Sequence, residues 1–455
     1  MSISMKKQAV SNLLSGSIII FLSVSSPVLY AQDLLEIYEL ALQHDPVLKQ
    51  SHASQLAIGE SRNQSVANFL PNVSATGINN FNRLNNNRPT YQGSGIQKYL
   101  DQSLSVNLTQ PLFHWEHWIE LSQADNQIAQ AEADYQTELQ KLMVKIADAY
   151  FNVLSAEDNL EFTRSEKQAI ARQLEQAKQR YDIGLSDITE VREAQAAFDR
   201  ATATEIEASN EVDNQKEALS EIIGEQDIEL NNLGETLPLV RPEPDNITAW
   251  SDVAEVNNFS IISAFNQLEF SRKAIGLQRS GHLPQLDLVA SFGKFDTSSQ
   301  FGLQGDTELV GVRLNVPLYE GGAVNSRTQQ ASYKYEQAKE FLTAAKRAVK
   351  RQVKDAYRGI TTSISRVDAL KTAVSSAEIA VQSTEAGFDV GVRTLVEVLD
   401  AQRDLYRAKR DYSRTRYDYL LNSIKLKQAS SSLSQEDLEQ INRLLIAGSA
   451  ARKGK

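Results

Sequence analysis

The chain has 455 residues, 41% hydrophobic and 23% charged, with 58 acidic side chains against 47 Lys and Arg. The resulting net charge of −11 argues against nucleic-acid binding and suits the solubility of a large exposed surface. With no cysteine and five scattered histidines, the chain holds itself without disulfides, cannot be lipidated at a cysteine, and is poorly equipped for a structural zinc site.

Met1–Ala31 reads as a cleaved secretion signal. Lys6 and Lys7 precede a short apolar stretch from Leu13 to Leu22, and Ala31 is the expected last residue removed. Loss of the two lysines takes the net charge to about −13. No later run is apolar enough to cross a membrane as a helix.

The rest of the chain is a duplication. Tyr181-Asp-Ile-Gly184 and the residues to Gln195 recur 207 positions later, from Phe388-Asp-Val-Gly391 to Gln402. Asp148-Ala-Tyr150 recurs as Asp355-Ala-Tyr357. Leu108–Phe113 matches Leu314–Tyr319, and Leu70–Val73 matches Leu283–Leu286. Four matches in one order divide the chain into a first repeat at 32–236, a Pro-rich linker at 237–246, a second repeat at 247–447 and a short tail at 448–455. Each repeat reads helix, strand, strand, very long helix, turn, long helix.

Val73–Gly77, Leu104–Leu108, Leu286–Phe292 and Val310–Val316 alternate with period two. Segments of about ten such residues match a tilted membrane strand. Phe69, Phe113, Trp115, Trp118 and Tyr319 would form an interfacial girdle. The polar segments Asn82–Tyr99 and Asp296–Asp306 are expected as outward loops. Pro71, Pro111, Pro284 and Pro317 are expected at strand–helix junctions, where a missing N–H costs little. Four strands cannot close around a channel, and open edges cannot face lipid. Three chains giving twelve strands can close.

His114-Trp-Glu-His117 places two histidines near one helical turn apart. Metal pairs usually have further ligands; with none nearby in the sequence, the pair is read as membrane-interface side chains, and no metal or cofactor is expected. From Trp115 to Gly184 there is no glycine or proline, so ~60 helical residues would reach roughly 90 Å. Tyr135, Leu139, Leu142, Ile146, Ala149, Val153, Ala156 and Leu160 step by four and three, a heptad seam. Gly184 and Gly391 fall at matching helix-to-helix turns. Thr394-Leu-Val-Glu397 reads as a capping box and Asp187-Ile-Thr-Glu190 as a looser version. Glu397 and Asp400 lie on one helical face; their residue types alone suggest solvated acids. No phosphate loop or nucleophile elbow is present, so an enzyme is not expected. A periplasmic adaptor would carry one hairpin inside a small β-domain, and a trimeric adhesin many short repeats before a single barrel segment. Neither has two strand pairs before long helices.

The motifs Leu108–Phe113, Ala149–Leu154, Ile183–Ser186, Gly281–Leu288, Val316–Gly322 and Val390–Arg393 together resemble the TolC family of outer-membrane factors, over roughly Asp33 to Asn442. The resemblance implies a mixed α and β fold: a trimeric twelve-stranded outer-membrane β-barrel continued by a twelve-helix tunnel, with an equatorial mixed region. It implies an exit duct for multidrug efflux and type I secretion, working with a periplasmic adaptor and an inner-membrane transporter of RND, ABC or MFS type. The tunnel would be shut at its periplasmic tip by inward coiling of the helices. Arg393 would bond Thr189 and Glu190 there, while Phe388 stands at a tyrosine position of the family and lacks its hydroxyl. Glu397 and Asp400 match a pair of acids ringing the entrance. Gly184, Leu185, Ser186, Gly391, Val392 and Arg393 match the adaptor-docking surface.

Overall fold

The computed structural model describes residues 32–90, 93–224, 229–298 and 302–446. The expected signal and the 448–455 tail lie outside the described residues. The chain opens with α1 (Leu34–His44), α2 (Pro46–Gly59) and α3 (Ser61–Ala67). Asp33 and Glu36 form a capping box on α1, and Asp45 caps α2, whose first residue is Pro46; a proline there gives up an N–H that has no helical partner. Then come β1 (Asn72–Thr90), β2 (Gly93–Phe113), α4 (Trp115–Asp182), α5 (Ile188–Ile223) and the short β3 (Asn232–Leu233). The second half repeats the plan with α6 (Ile247–Asn257), α7 (Phe259–Arg279), β4 (Gln285–Thr297), β5 (Gln304–Asn315), α8 (Ala323–Asp389) and α9 (Leu395–Ala429). It ends with α10 (Gln435–Asn442) and β6 (Leu445–Ile446).

The duplication is visible in the lengths. α4 and α5 have 68 and 36 residues; α8 and α9 have 67 and 35. A helix of 68 residues is about 100 Å long, and the returning helix covers about half of that. Each long helix therefore passes from the sheet to a distant turn, while its partner returns only to the middle.

The four strands form one antiparallel sheet in the order β1-β2-β4-β5, leaving β1 and β5 as its edges. Val73, Leu108, Ala290 and Val310 are cross-strand neighbours, so they share one face; Ser74, Asn107, Ser291 and Leu309 share the other. The apolar face is unburied within one chain, with Val73 62% and Val310 80% exposed, as a lipid-facing surface would be.

Three sequence expectations need correction. The segment Asn82–Tyr99 is not a loop: β1 and β2 stay paired from Asn82↔Tyr99 to Asn86↔Gly95. A backbone ladder forms a strand without an apolar face, so alternation found only the part suited to lipid. The second connection is likewise shorter than Asp296–Asp306, because both ends lie in β4 and β5. Pro111 sits inside β2, beside a register irregularity between Pro111 and Phe113; there its missing N–H breaks no regular ladder.

The main core is a belt near the middle of the long helices. It joins Leu142, Ile146, Tyr150 and Leu154 of α4, Leu219 and Ile223 of α5, Val353 and Ile360 of α8 and Leu420 and Ile424 of α9 to Leu34 and Ile37 of α1 and Leu438 of α10. The predicted seam is buried at Leu142, Ile146, Val153 and Ala156, and half-buried at Tyr135, Leu139, Ala149 and Leu160. The buried stripe is wider than a two-position seam, because Met143, Ala147, Tyr150 and Leu154 are buried too. Tyr150 donates its hydroxyl to the Asn231 carbonyl at 2.8 Å. β3 pairs with β6 beside this belt, and Gln32 bridges to Leu230 next to β3, which brings the two ends of the described chain together.

Candidate functional site at the helical tips

Both distant turns have the same backbone. Gly184 and Gly391 each adopt φ +75°, a left-handed conformation that favours glycine. Leu185 N–H donates to the Arg180 carbonyl at 2.8 Å, and Val392 N–H donates to the Gly387 carbonyl at 2.9 Å. Each is the six-to-one bond of a glycine-terminated helix. The turns carry apolar side chains into solvent: Ile183 is 71% and Leu185 68% exposed, and Val390 74% and Val392 75%. Four exposed aliphatic residues thus gather at one end of a hairpin pair, uncovered within one chain.

The helices leaving the turns differ. Thr394 and Glu397 form a complete capping box on α9: the Thr394 N–H donates to Glu397 Oε2 at 2.8 Å, and the Glu397 N–H donates to Thr394 Oγ1 at 3.3 Å. Arg393 adds a contact to Glu397 Oε1 at 2.6 Å. The Thr394 backbone N–H first, then Arg393 and the Thr394 hydroxyl, hold the Glu397 carboxyl below its ordinary range. On α5 the equivalent Asp187 makes no side-chain cap bond. Thr189 donates to Asp187 at 3.3 Å. Buried Glu190 Oε2 and Ser186 Oγ have no hydrogen-bond partner among the described residues.

Beneath the turns lies a second, smaller apolar cluster. Leu174 and Ala177 of α4, Ala194 of α5, Phe388 of α8 and Leu395 and Val398 of α9 are all buried in it. The Arg180 guanidinium lies 4.8 Å from the centre of the Phe388 ring, a cation–π contact between the two hairpins. Further toward the belt, Arg410 of α9 pairs with Glu166 of α4 at 2.9 Å. Asp158 of α4 accepts hydrogen bonds from Ser413 and Tyr417 of α9. Burial pushes the Asp158 carboxyl up, against the pull of those two hydrogen bonds.

The predicted site residues thus converge at one end of the molecule, but not all in the predicted contacts. Within one chain Arg393 bonds Glu397, and among the described residues no hydrogen bond or ion pair joins it to Thr189 or Glu190. Phe388 is buried in the small cluster. Glu397 is occupied by its cap, and Asp400 pairs with Arg403 at 3.0 Å. Sequence reasoning missed Arg180 and the small cluster. The three-residue spacing of Leu174 with Ala177, and of Leu395 with Val398, carried that signal.

Comparison with known proteins bears on this arrangement. The profile of the family described as Outer membrane efflux protein matches residues 37–225 and 250–432. The chain is 38% identical over 426 residues to Outer membrane protein TolC of Vibrio cholerae serotype O1, covering 92% of this chain and 95% of that one. It is 28% identical over 429 residues to the Alkaline protease secretion protein AprF of Pseudomonas aeruginosa, covering 92% and 88%. The crystal structure of the outer membrane protein VceC from Vibrio cholerae superposes with a TM-score of 0.74 at 19% identity, covering 87% of this chain and 95% of that one; this likeness bears on the fold alone.

Proposed function

The chain belongs to the outer membrane efflux protein family, and from that premise we propose how it works as an outer-membrane exit duct whose tunnel extends into the periplasm. The observation that carries the reading is a four-stranded sheet with two unpaired edges that leads directly into helical hairpins of great length. Such a sheet cannot stand alone in lipid, where every backbone polar group needs a partner. Three copies joined through β1 and β5 satisfy both edges and make a barrel of twelve strands.

The two repeats, 32–236 and 247–447, would each supply one hairpin to a tunnel of twelve helices per trimer. The tips close it, and untwisting of the hairpins opens it. In this reading Glu190, half-buried with one buried oxygen unpartnered among the described residues, is the acceptor that Arg393 of an adjoining chain reaches when the tip is shut, with Thr189 beside it. Phe388 holds the two hairpins of one chain together. Glu397 and Asp400 place six carboxylates around the trimer entrance and favour cations there. The exposed aliphatic residues about Gly184, Leu185, Ser186, Gly391, Val392 and Arg393 receive a periplasmic adaptor, which links the duct to an inner-membrane transporter of RND, ABC or MFS type. A duct with no tight pocket leaves cargo choice to that transporter, so both drugs and secreted proteins can pass.

A deletion strain tests the duct directly. It should become sensitive to antibiotics and bile salts, and should retain a type I secretion substrate inside the cell. The complementing protein should fractionate with the outer membrane. Unaltered sensitivity together with unaltered secretion would remove the reading.

A further inference from the structure

A cluster of ligand-bearing side chains lies where the barrel strands become helices, far from the tips. His114 caps the start of α4 in an extended conformation, with Glu116 and His117 in the first turn. Its Nε2 is 2.9 Å from Asp287 Oδ1 of β4, and its Nδ1 is 3.0 Å from Glu116 Oε1. The His117 ring lies nearly parallel to His114, with centroids 4.7 Å apart and planes 10° apart, and it turns about its own side-chain bonds for both rings to aim a nitrogen at one point. One ligand atom each from His114, Glu116 and His117 lies within 4.8 Å of the other two. Buried Nδ1 of His117 has no hydrogen-bond partner among the described residues.

The geometry points to a divalent transition-metal site formed by His114 Nδ1, Glu116 and His117 in each chain, with Asp287 as the positioning residue. Bonds of about 2.0–2.2 Å to one ion put neighbouring ligand atoms about 2.8–3.6 Å apart, for angles from about 90° to about 110°. The Nδ1–Oε1 separation of 3.0 Å already meets that spacing, so an ion takes the place of the hydrogen between them. Asp287 accepts from the other ring nitrogen, which fixes the ring and leaves Nδ1 free to ligate; such carboxylate–histidine–metal relays are the usual support of a histidine ligand. Gln285 donates to Glu116 Oε1 at 2.6 Å and orients that carboxylate. A hydrogen-bonded clamp alone accounts for Asp287, His114 and Glu116, but it leaves Nδ1 of the half-buried His117 unsatisfied among the described residues. Two imidazoles and one carboxylate select zinc, nickel, cobalt or copper over magnesium and calcium.

Asp287 lies on the polar face of the sheet, opposite Arg313 and in line with Ser291. The ion therefore sits on the side that faces the duct in a closed barrel, and ties β2 and α4 to β4 where barrel meets tunnel. Sequence spacing showed His114, Glu116 and His117 together but hid the supporting carboxylate, because Asp287 lies 173 residues from His114.

The test uses the full-length protein in detergent, purified without an oligohistidine tag and stripped with chelator. Titration with zinc chloride by calorimetry should give one ion per chain, and calcium chloride should give no signal. Asp287→Asn should weaken zinc about 10–100-fold, and His117→Gln should weaken it further, while His44→Ala and His282→Ala leave it unchanged. Should His117→Gln fail to assemble, the electron paramagnetic resonance spectrum of the copper-loaded wild type decides, with coupling to two imidazole nitrogens expected. No zinc uptake by the wild type, uptake undiminished in His117→Gln, or coupling to fewer than two nitrogens overturns the site.

Discussion

The two helical turns are copies in backbone and opposites in what their side chains do. Gly184 and Gly391 share one φ and one bonding pattern. Yet α9 begins with a complete capping box and α5 with none. Tyr181 and Phe388 occupy the same place in the two repeats, and Tyr181 is 45% exposed while Phe388 is 5% exposed. Duplication thus preserved the turn, whose left-handed glycine leaves little latitude, and freed the flanking side chains to specialise. The second hairpin is self-contained and supplies the anchor. The first leaves Oε2 of Glu190 without a hydrogen-bond partner among the described residues.

The largest expected effect separates the paired aromatics. Phe388→Ala empties the small cluster and should cost about 3–5 kcal/mol of local stability. Tyr181→Ala, on the surface, should stay within about 0.5 kcal/mol. Hydrogen exchange across residues 385–400 reports the difference; equal losses in both variants would erase the asymmetry. The caps come next. Thr394→Ala should lose about 1 kcal/mol at the start of α9, whereas Asp187→Ala should scarcely change α5, because Asp187 makes no cap bond.

Acid sharpens the same contrast. The Glu397 carboxyl is held below its ordinary range, so the fold prefers its ionised form. Its contribution is complete above the ordinary glutamate range and is lost as pH falls through the lowered value. Amide protection at Thr394–Val398 should fall on that descent and should persist in Glu397→Gln at whatever lower level the variant sets. The smallest effect belongs to Arg393→Ser. An exposed pair such as Arg393–Glu397 contributes little to stability, so stability should hold while conductance in planar bilayers rises. Unchanged conductance in Arg393→Ser combined with Glu190→Gln would take both residues out of the gate.

Much of this architecture was legible because long helices and duplicated turns announce themselves. The glycine-free, proline-free run after Trp115 predicts α4 nearly to its ends, and the 207-residue offset from Tyr181 to Phe388 predicts α8 and α9 from their copies. The strands were legible only where lipid demands an apolar face. Beyond it, Asn82–Asn86 continues the backbone ladder without an apolar alternation to record it. Glycine turns and the Thr394–Glu397 box could be read from spacing, since their partners are three or four residues apart. Contacts that cross the chain could not: Arg180 on Phe388, Arg410 with Glu166 and His114 with Asp287 each depend on how elements meet. Arg393 exposes the remaining weakness, because a likeness to other chains names a contact without saying which copy of the chain supplies the partner.

The central claim, that the unpaired edges of the sheet are closed by two further copies, meets its most direct test in the native mass of the detergent-extracted, outer-membrane-inserted protein. The expected result is three chains in one particle, resistant to dissociation until heated. A protected sheet in a particle of one chain would contradict it.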